Sequence, residues 1–321
     1  MDMTFVTGLD QDAQRLVMRG LRPNTRRSYT SAQRFYLAFC SLYQLVPVPA
    51  DEDQLLRFVA YAHTKKLAPA TIGAYLSGVS SLHTLQGLPA PPVASYRLKL
   101  AQRAIADMGP DRSKKAPVTY QMLVYLCNYA KTMDMSLLWP AMFSLGFFGA
   151  FRGSEYSATV QDGTIKAPLV RDLQFTEHNG TMAMVFTIPR SKTAIKPIHV
   201  PVGCTGTDCC AVCFILTYLH HRSAQGTLHQ AAYLFIDNTG RPVTKQQLNQ
   251  ALKQGISSLG LDHTMYSTHS LRSGAATTAH QVGCTETQIK ALGHWASSAY
   301  TQYVTHSHTQ GFALSHKLTQ L

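Results

Sequence analysis

Residues 268–303, THSLRSGAATTAHQVGCTETQIKALGHWASSAYTQY, carry His269, Arg272, His294 and Tyr303 in one ordered run. The pattern predicts a helix over about 269–282 and a second over about 285–293. Residues three apart on a helix sit about 60° apart around its axis, so His269 and Arg272 share one face. From that face an imidazole and a guanidinium can reach the same phosphate. His-x-x-Arg alone occurs by chance in many proteins. The ordered series decides the reading: His-x-x-Arg, then Leu-Gly-His, then a tyrosine nine residues after His294.

Upstream, the periodicity predicts helices near 119–131, 135–150, 211–222 and 244–259. Between them lie β-rich runs at about 168–175, 181–189 and 196–201. FTIPRSKTAIKPIHVPV reads as two short β-rich runs around a polar turn. The second half is thus mainly helical with one small antiparallel sheet. The first hundred residues read as a small all-helical module. Pro23-Asn24-Thr25 starts a helix carrying Tyr29, Ala32, Tyr36 and Phe39; Asp51 opens a second with Leu55, Leu56, Val59 and Ala60. Pro69 and Thr71 introduce a third with Ile72, Tyr75, Leu76, Val79 and Leu82, and a fourth runs from about Ser95 to Asp107. GPDRSKKAP, residues 109–117, has the Pro/Gly/charged composition of an interdomain linker. The expected division is a helical domain over 1–108, a linker over 109–117 and a mixed domain over 118–321.

The 321 residues suffice for two domains, and 45% hydrophobic content supports real cores. No apolar run approaches the roughly 18 residues that span a membrane, and MDMTFVTGLDQDAQR lacks a signal peptide's basic-then-apolar order. An intracellular protein without a membrane partner is expected. Lys and Arg number 29 against 17 Asp and Glu, a net charge of +12 that favours a polyanionic partner. The excess lies in both halves: 15 Lys and Arg precede Pro117 against 8 Asp and Glu. The polar faces of the first helices present Arg26, Arg27, Arg34, Lys65, Lys66, Arg97 and Arg103, and the linker adds Arg112, Lys114 and Lys115. A solvated face is the ordinary fate of such charges.

Seven cysteines in a chain this long do not make a disulfide scaffold. Four cluster at Cys204, Cys209, Cys210 and Cys213. Cys210-x-x-Cys213 has zinc-ligand spacing, but no second ligand pair is clearly spaced, so the four are a weak zinc candidate. Reduced thiols packing the start of the helix CFILTYLHHR are the simpler expectation. Cys40, Cys127 and Cys284 read as small buried hydrophobes.

The 268–303 run resembles the C-terminal signature of the tyrosine recombinases, the phage-integrase family. GFFGAFRGSEY adds Arg152 and Glu155, which look like the family's first catalytic arginine and its acidic neighbour. Lys192 in RSKT matches the family's hairpin lysine, with Lys196 as fallback. The motifs cover about the C-terminal two thirds in family order, and the helical module before them resembles the family's core-binding domain, which clamps one side of a duplex.

The resemblance implies a catalytic set of Arg152, Lys192, His269, Arg272, His294 and Tyr303, supported by Glu155 and Trp295. Arg152 and Arg272 would bind the non-bridging phosphate oxygens, since guanidinium offers fixed, paired donors that stay charged. Tyr303 would attack, Lys192 would protonate the leaving 5′ oxygen, and His269 would accept a proton or donate to phosphate. His294 fills a position the family gives to His or Trp, and Trp295 follows it directly. No cofactor is implied. The implied partner is double-stranded DNA, held by a homotetramer on two duplexes. The RSKT hairpin, the cysteine-rich insertion and the STHSLRSGAATT phrasing look most like recombinases of eukaryotic mobile elements of the DIRS/Ngaro or Crypton type, which would place the protein in the nucleus. The rival readings are an inactive DNA-binding descendant of the same fold and a type IB topoisomerase. The apolar residues Phe312, Ala313, Leu314 and Leu318 of the tail would dock on a neighbouring subunit or on their own domain.

Overall fold

A computed structural model describes residues 3–109, 115–161, 163–189, 196–295 and 300–301. The chain forms two compact units, Met1–Arg112 and Ser113–Leu321.

The first unit contains α1 (Met3–Gly20), α2 (Pro23–Leu42), α3 (Glu52–Thr64), α4 (Pro69–Leu85) and α5 (Tyr96–Met108). Proline opens α2 and α4, where its missing N–H costs no helix bond. Asp51 caps α3 by accepting from Gln54 N at 2.7 Å, and Ser95 caps α5 by accepting from Leu98 N. The apolar stripes of α2 to α5 meet in one core around Tyr36, Phe39, Leu55, Phe58, Ile72 and Leu98. Two polar side chains in that core are tied off. His83 Nε2 accepts from Ala50 N at 2.9 Å, with Nδ1 against Val79 O, and Gln54 donates to Tyr36 Oη and Val46 O. Ala60, expected on the inner stripe of α3, is exposed, and Phe58 holds the inner position. Helix α1 has no counterpart in the sequence expectations. Its Leu9, Leu16 and Val17 are exposed, so no buried stripe announces it.

The second unit is mainly helical with small antiparallel sheets. It runs through α6 (Tyr120–Ala130), α7 (Leu138–Phe148) and the single turn α8 (Gly153–Tyr156). The hairpin β1 (Thr159–Gln161) and β2 (Thr164–Lys166) follows, then β3 (Leu173–His178), β4 (Thr181–Ile188) and β5 (Ile198–Gly203). Helices α9 (Ala211–Ala224), α10 (Lys245–Ser258), α11 (Thr268–Gln281) and α12 (Glu286–Leu292) complete it. Strands β3, β4 and β5 pair in sequence order, with Phe186 opposite both Leu173 and Val200. Met184, Phe186, Ile188, Val200 and Val202 alternate inward, as a half-buried sheet requires. Strand β3 begins five residues later than the run at 168 suggests. Pro168 O and Val170 N are spent on Leu234 N and Ala232 O, so that segment bonds outside the sheet.

Helix α7 is buried on every side, from Leu138 and Trp139 to Leu145 and Phe147, and forms the middle of the core. Helix α11 packs against it. The segment before α6 threads along α11, with Ala116 N donating to Met265 O at 2.8 Å and Val118 N to Ser270 O at 2.9 Å. Gly274 makes that approach possible, because a Cβ there would overlap the Val118 carbonyl. Gly274→Ala is therefore expected to destabilise the protein by about 1–3 kcal/mol through overpacking. Gly203→Ala, where a Cβ meets nothing within 4 Å, serves as control. Chemical denaturation compares the two, and equal midpoints would refute this account of Gly274.

Candidate active site

Two helix ends are built alike. Helix α7 ends at Gly149, then Ala150 turns left-handed at φ 45°; Ala150 N bonds Phe147 O and Phe151 N bonds Gly146 O. Helix α12 ends at Gly293, then His294 turns left-handed at φ 45°; His294 N bonds Ala291 O and Trp295 N bonds Lys290 O. Both are Schellman closures in which a residue other than glycine takes the left-handed position. The first launches Arg152, and the second sets His294 and Trp295. Glycine precedes each turn because the following ring folds back: a Cβ on Gly149 would strike Phe151, and one on Gly293 would strike Trp295.

Arg272, fully buried on α11, joins the two ends. Its Nη1 donates to Ala150 O, its Nη2 donates to Gly293 O at 2.6 Å, and its guanidinium lies 4.1 Å from the Trp295 ring centroid. Trp295 thus stacks on Arg272 while His294, one residue earlier, points elsewhere. His294 Nε2 lies 3.3 Å from Glu155 Oε2. The same carboxylate accepts from Arg152 N and from Arg152 Nη1, both at 2.7 Å. Glu155 is 4% exposed at its side chain and Arg152 20%. Burial alone would raise the Glu155 carboxyl, but His294 and the backbone and side chain of Arg152 outweigh it and hold it below the ordinary range. His294 Nδ1 is buried with no hydrogen-bond partner among the described residues.

His269 sits half-buried on the first turn of α11, whose start is capped by Ser267. Burial, then the charges of Arg272, Lys245 and Arg152, press its imidazole down to about 4, with Glu155 opposing. The ring is therefore neutral at pH 7. Lys245 is the residue that sequence reasoning missed. It opens α10 after a Thr244–Gln247 capping box, and its Cε lies 3.3 Å from where a Cβ on Gly153 would be. The capping box marks a helix start, but nothing in the sequence aims that start at Arg152 and His269. Three fixed cations and one carboxylate leave the site positive.

Among the expected residues, the structure brings together Arg152, Glu155, His269, Arg272, His294 and Trp295. Lys192 and Tyr303 lie outside the described residues, as do Arg112, Lys114 and the 312–318 stretch. Lys196 is exposed at the start of the chain leading into β5. Tyr300 packs on Trp295, with ring centroids 6.4 Å apart. Arg27, Arg34, Lys65, Lys66, Arg103 and Lys115 are exposed and Arg26 is half-buried, whereas Arg97 is engaged with Glu52 and Asp53. Lys115 Nζ bonds Thr264 O. Of the four clustered cysteines, Cys204, Cys210 and Cys213 converge, and Cys209 belongs to the core. No helix among the described residues is long and apolar enough to cross a membrane.

The phage integrase family model matches residues 180–310. Over that segment the C-terminal unit is similar to the phage integrase family. An integrase/recombinase XerD homolog of Selenomonas ruminantium is 23% identical to this chain over 288 residues, covering 85% of the chain and 78% of that protein. Recombinase Cre of Escherichia phage P1 is 23% identical over 301 residues, covering 85% and 81%. Among solved structures, XerH recombinase bound to palindromic difH substrate shares the fold with a TM-score of 0.64. Its identity is 16%, over 92% of this chain and 80% of that one.

Two measurements test the recombinase site. Glu155→Ala strips the buried carboxylate from half-buried Arg152 and His294 and is expected to cost about 3 kcal/mol; an unchanged urea midpoint would show that the network contributes nothing. In the DNA-free protein, NMR titration of the His269 ring, assigned with His269→Asn, is expected to show protonation near pH 4. The unfolded chain binds this proton between about pH 4 and 6.5, so stability from this group is lost as pH falls through that window. An inflection near 6.5 would mean that neither burial nor the surrounding cations act on the ring.

Proposed function

We propose that this recombinase cleaves and rejoins DNA at specific sites through a 3′-phosphotyrosine intermediate on Tyr303. The observation that carries the reading is the meeting of Arg152, His269, Arg272 and His294 around one buried carboxylate, in a site with surplus positive charge. In-line attack on a phosphodiester builds negative charge on the phosphoryl oxygens, and fixed guanidinium donors stabilise it, each such donor being worth roughly 10²–10³ in rate at comparable oxyanion sites. Arg152, the more open arginine, meets the phosphate from the α8 turn. Arg272 supports the same oxygens from below and sets the two helix ends. A neutral His269 accepts the phenolic proton or shares a hydrogen with the phosphate. His294, held by Glu155 at Nε2, donates to a non-bridging oxygen.

The Tyr303 oxygen bonds to phosphorus as the bond from phosphorus to the 5′ oxygen breaks. Lys192 protonates that oxygen, leaving a free 5′-hydroxyl. Bond energy stays in the phosphotyrosine, so a second 5′-hydroxyl can reverse the step and rejoin strands. The partner is double-stranded DNA, and both units contribute to its basic contacts through Arg26, Arg27, Arg34, Lys65, Lys66, Arg103, Arg112, Lys114 and Lys115. The working assembly is a homotetramer on two duplexes, and the source is a eukaryotic mobile element of the DIRS/Ngaro or Crypton type acting in the nucleus. The DNA-bound XerH complex supports the choice of partner, and the RSKT and STHSLRSGAATT phrasing supports the element type.

A nicked suicide substrate tests the nucleophile. Tyr303→Phe is expected to bind DNA and form no covalent adduct, while Tyr300→Phe, which keeps the ring against Trp295, still forms one. An adduct mapped by mass spectrometry to Tyr300 would overturn the assignment.

A further inference from the structure

Away from the recombinase site, three sulfurs meet where β5 gives way to α9. Cys204 follows the last residue of β5, and its N–H donates to Met182 O of β4 at 2.9 Å. Gly206, left-handed at φ 65°, reverses the chain. Cys210 is the N-cap of α9, and Cys213 lies in its first turn. The Cys204 sulfur is 3.4 Å from that of Cys210 and 3.7 Å from that of Cys213, and all three sulfurs lie within 4.8 Å of one another. A tetrahedral zinc with sulfurs at about 2.3 Å spaces them by about 3.8 Å, which these separations approach without rearrangement of the chain.

Packing does not explain the cluster. A cysteine used as a small hydrophobe is buried, as Cys209 is, with its sulfur 3.8 Å from Thr207 Oγ1. Cys213 is exposed and Cys204 half-exposed. A polar contact also points at the cluster: Thr205 N donates to the Cys210 sulfur at 3.3 Å, the kind of outer bond that orients a metal-bound thiolate. The simpler sequence expectation, thiols packing a helix start, accounts for the buried Cys209 and Cys210 but not for the more exposed Cys204 and Cys213.

We propose that Cys204, Cys210 and Cys213 bind one zinc ion as thiolates, with the fourth tetrahedral corner open to solvent beside Cys213. The ion ties the end of β5 to the first turn of α9. It is structural, and it stands whether or not the proposed cleavage chemistry does.

The test uses the full chain, purified under reducing conditions without chelator. Elemental analysis is expected to find about one zinc per chain. Replacement by Co²⁺ is expected to give thiolate-to-metal charge-transfer absorption with the strong visible bands of a tetrahedral site. Cys204→Ser and Cys213→Ser lose the ion, and Cys284→Ser and Cys209→Ser keep it. Because a variant can misfold, alkylation of the unaltered protein is a second readout: zinc should shield Cys213, and a strong chelator should expose it and lower the melting temperature. A wild-type chain that holds no zinc and gives no cobalt–thiolate absorption would overturn the proposal. So would retention of the ion by Cys213→Ser, or a mass two hydrogens low with a disulfide mapped among the three.

Discussion

The site rests on the buried guanidinium of Arg272. Two carbonyls, from Ala150 and Gly293, converge on it from helix ends 143 positions apart in sequence. Hydrogen bonds from a charged donor contribute about 1.5–3 kcal/mol each, and stacking under Trp295 shields the cation from water. Because each carbonyl sits in a tight helix closure, holding the carbonyl also holds the one or two residues that follow. Arg152 and His294 are thereby brought to the same carboxylate. Glu155 then fixes their relative position, and its own charge is sustained by the groups it orients.

Such an arrangement has an electrostatic consequence. Burial first, and then the cations that outnumber carboxylates around His269, keep the imidazole unprotonated. An anion entering there would meet fixed positive charge together with a neutral ring. Positive charge and a neutral ring are thus carried by separate groups, and the separation follows from the packing of α10 and α11 around the α8 turn.

Much of this was legible in the sequence. The mainly helical fold with a small antiparallel sheet followed from periodicity, and the 268–303 run marked α11, α12 and four of the side chains that meet. What escaped has physical reasons. Neither helix closure shows in the sequence, because Ala150 and His294 occupy positions where glycine is the usual sign. Lys245 looks like any lysine at a helix start, since its importance depends on contacts with α8 and α11 formed only in the folded chain. Nothing in the sequence singles out His83 and Gln54, whose partners Ala50 N and Tyr36 Oη meet them only in the folded chain. Arg97 counted toward a basic face on composition, yet carboxylates on a neighbouring helix already engage it.

The closure after α12 bears on how this part of the chain can change. His294 and Trp295 are adjacent in sequence, face different partners, and are both aimed by one left-handed turn. A residue gained or lost between Ile289 and Trp295 would rotate both rings away together. The joint between α11 and α12, where Val282 to Thr285 are largely exposed, carries no such coupling. Variation in length should collect there, and helix α12 should be inherited as a unit of fixed count.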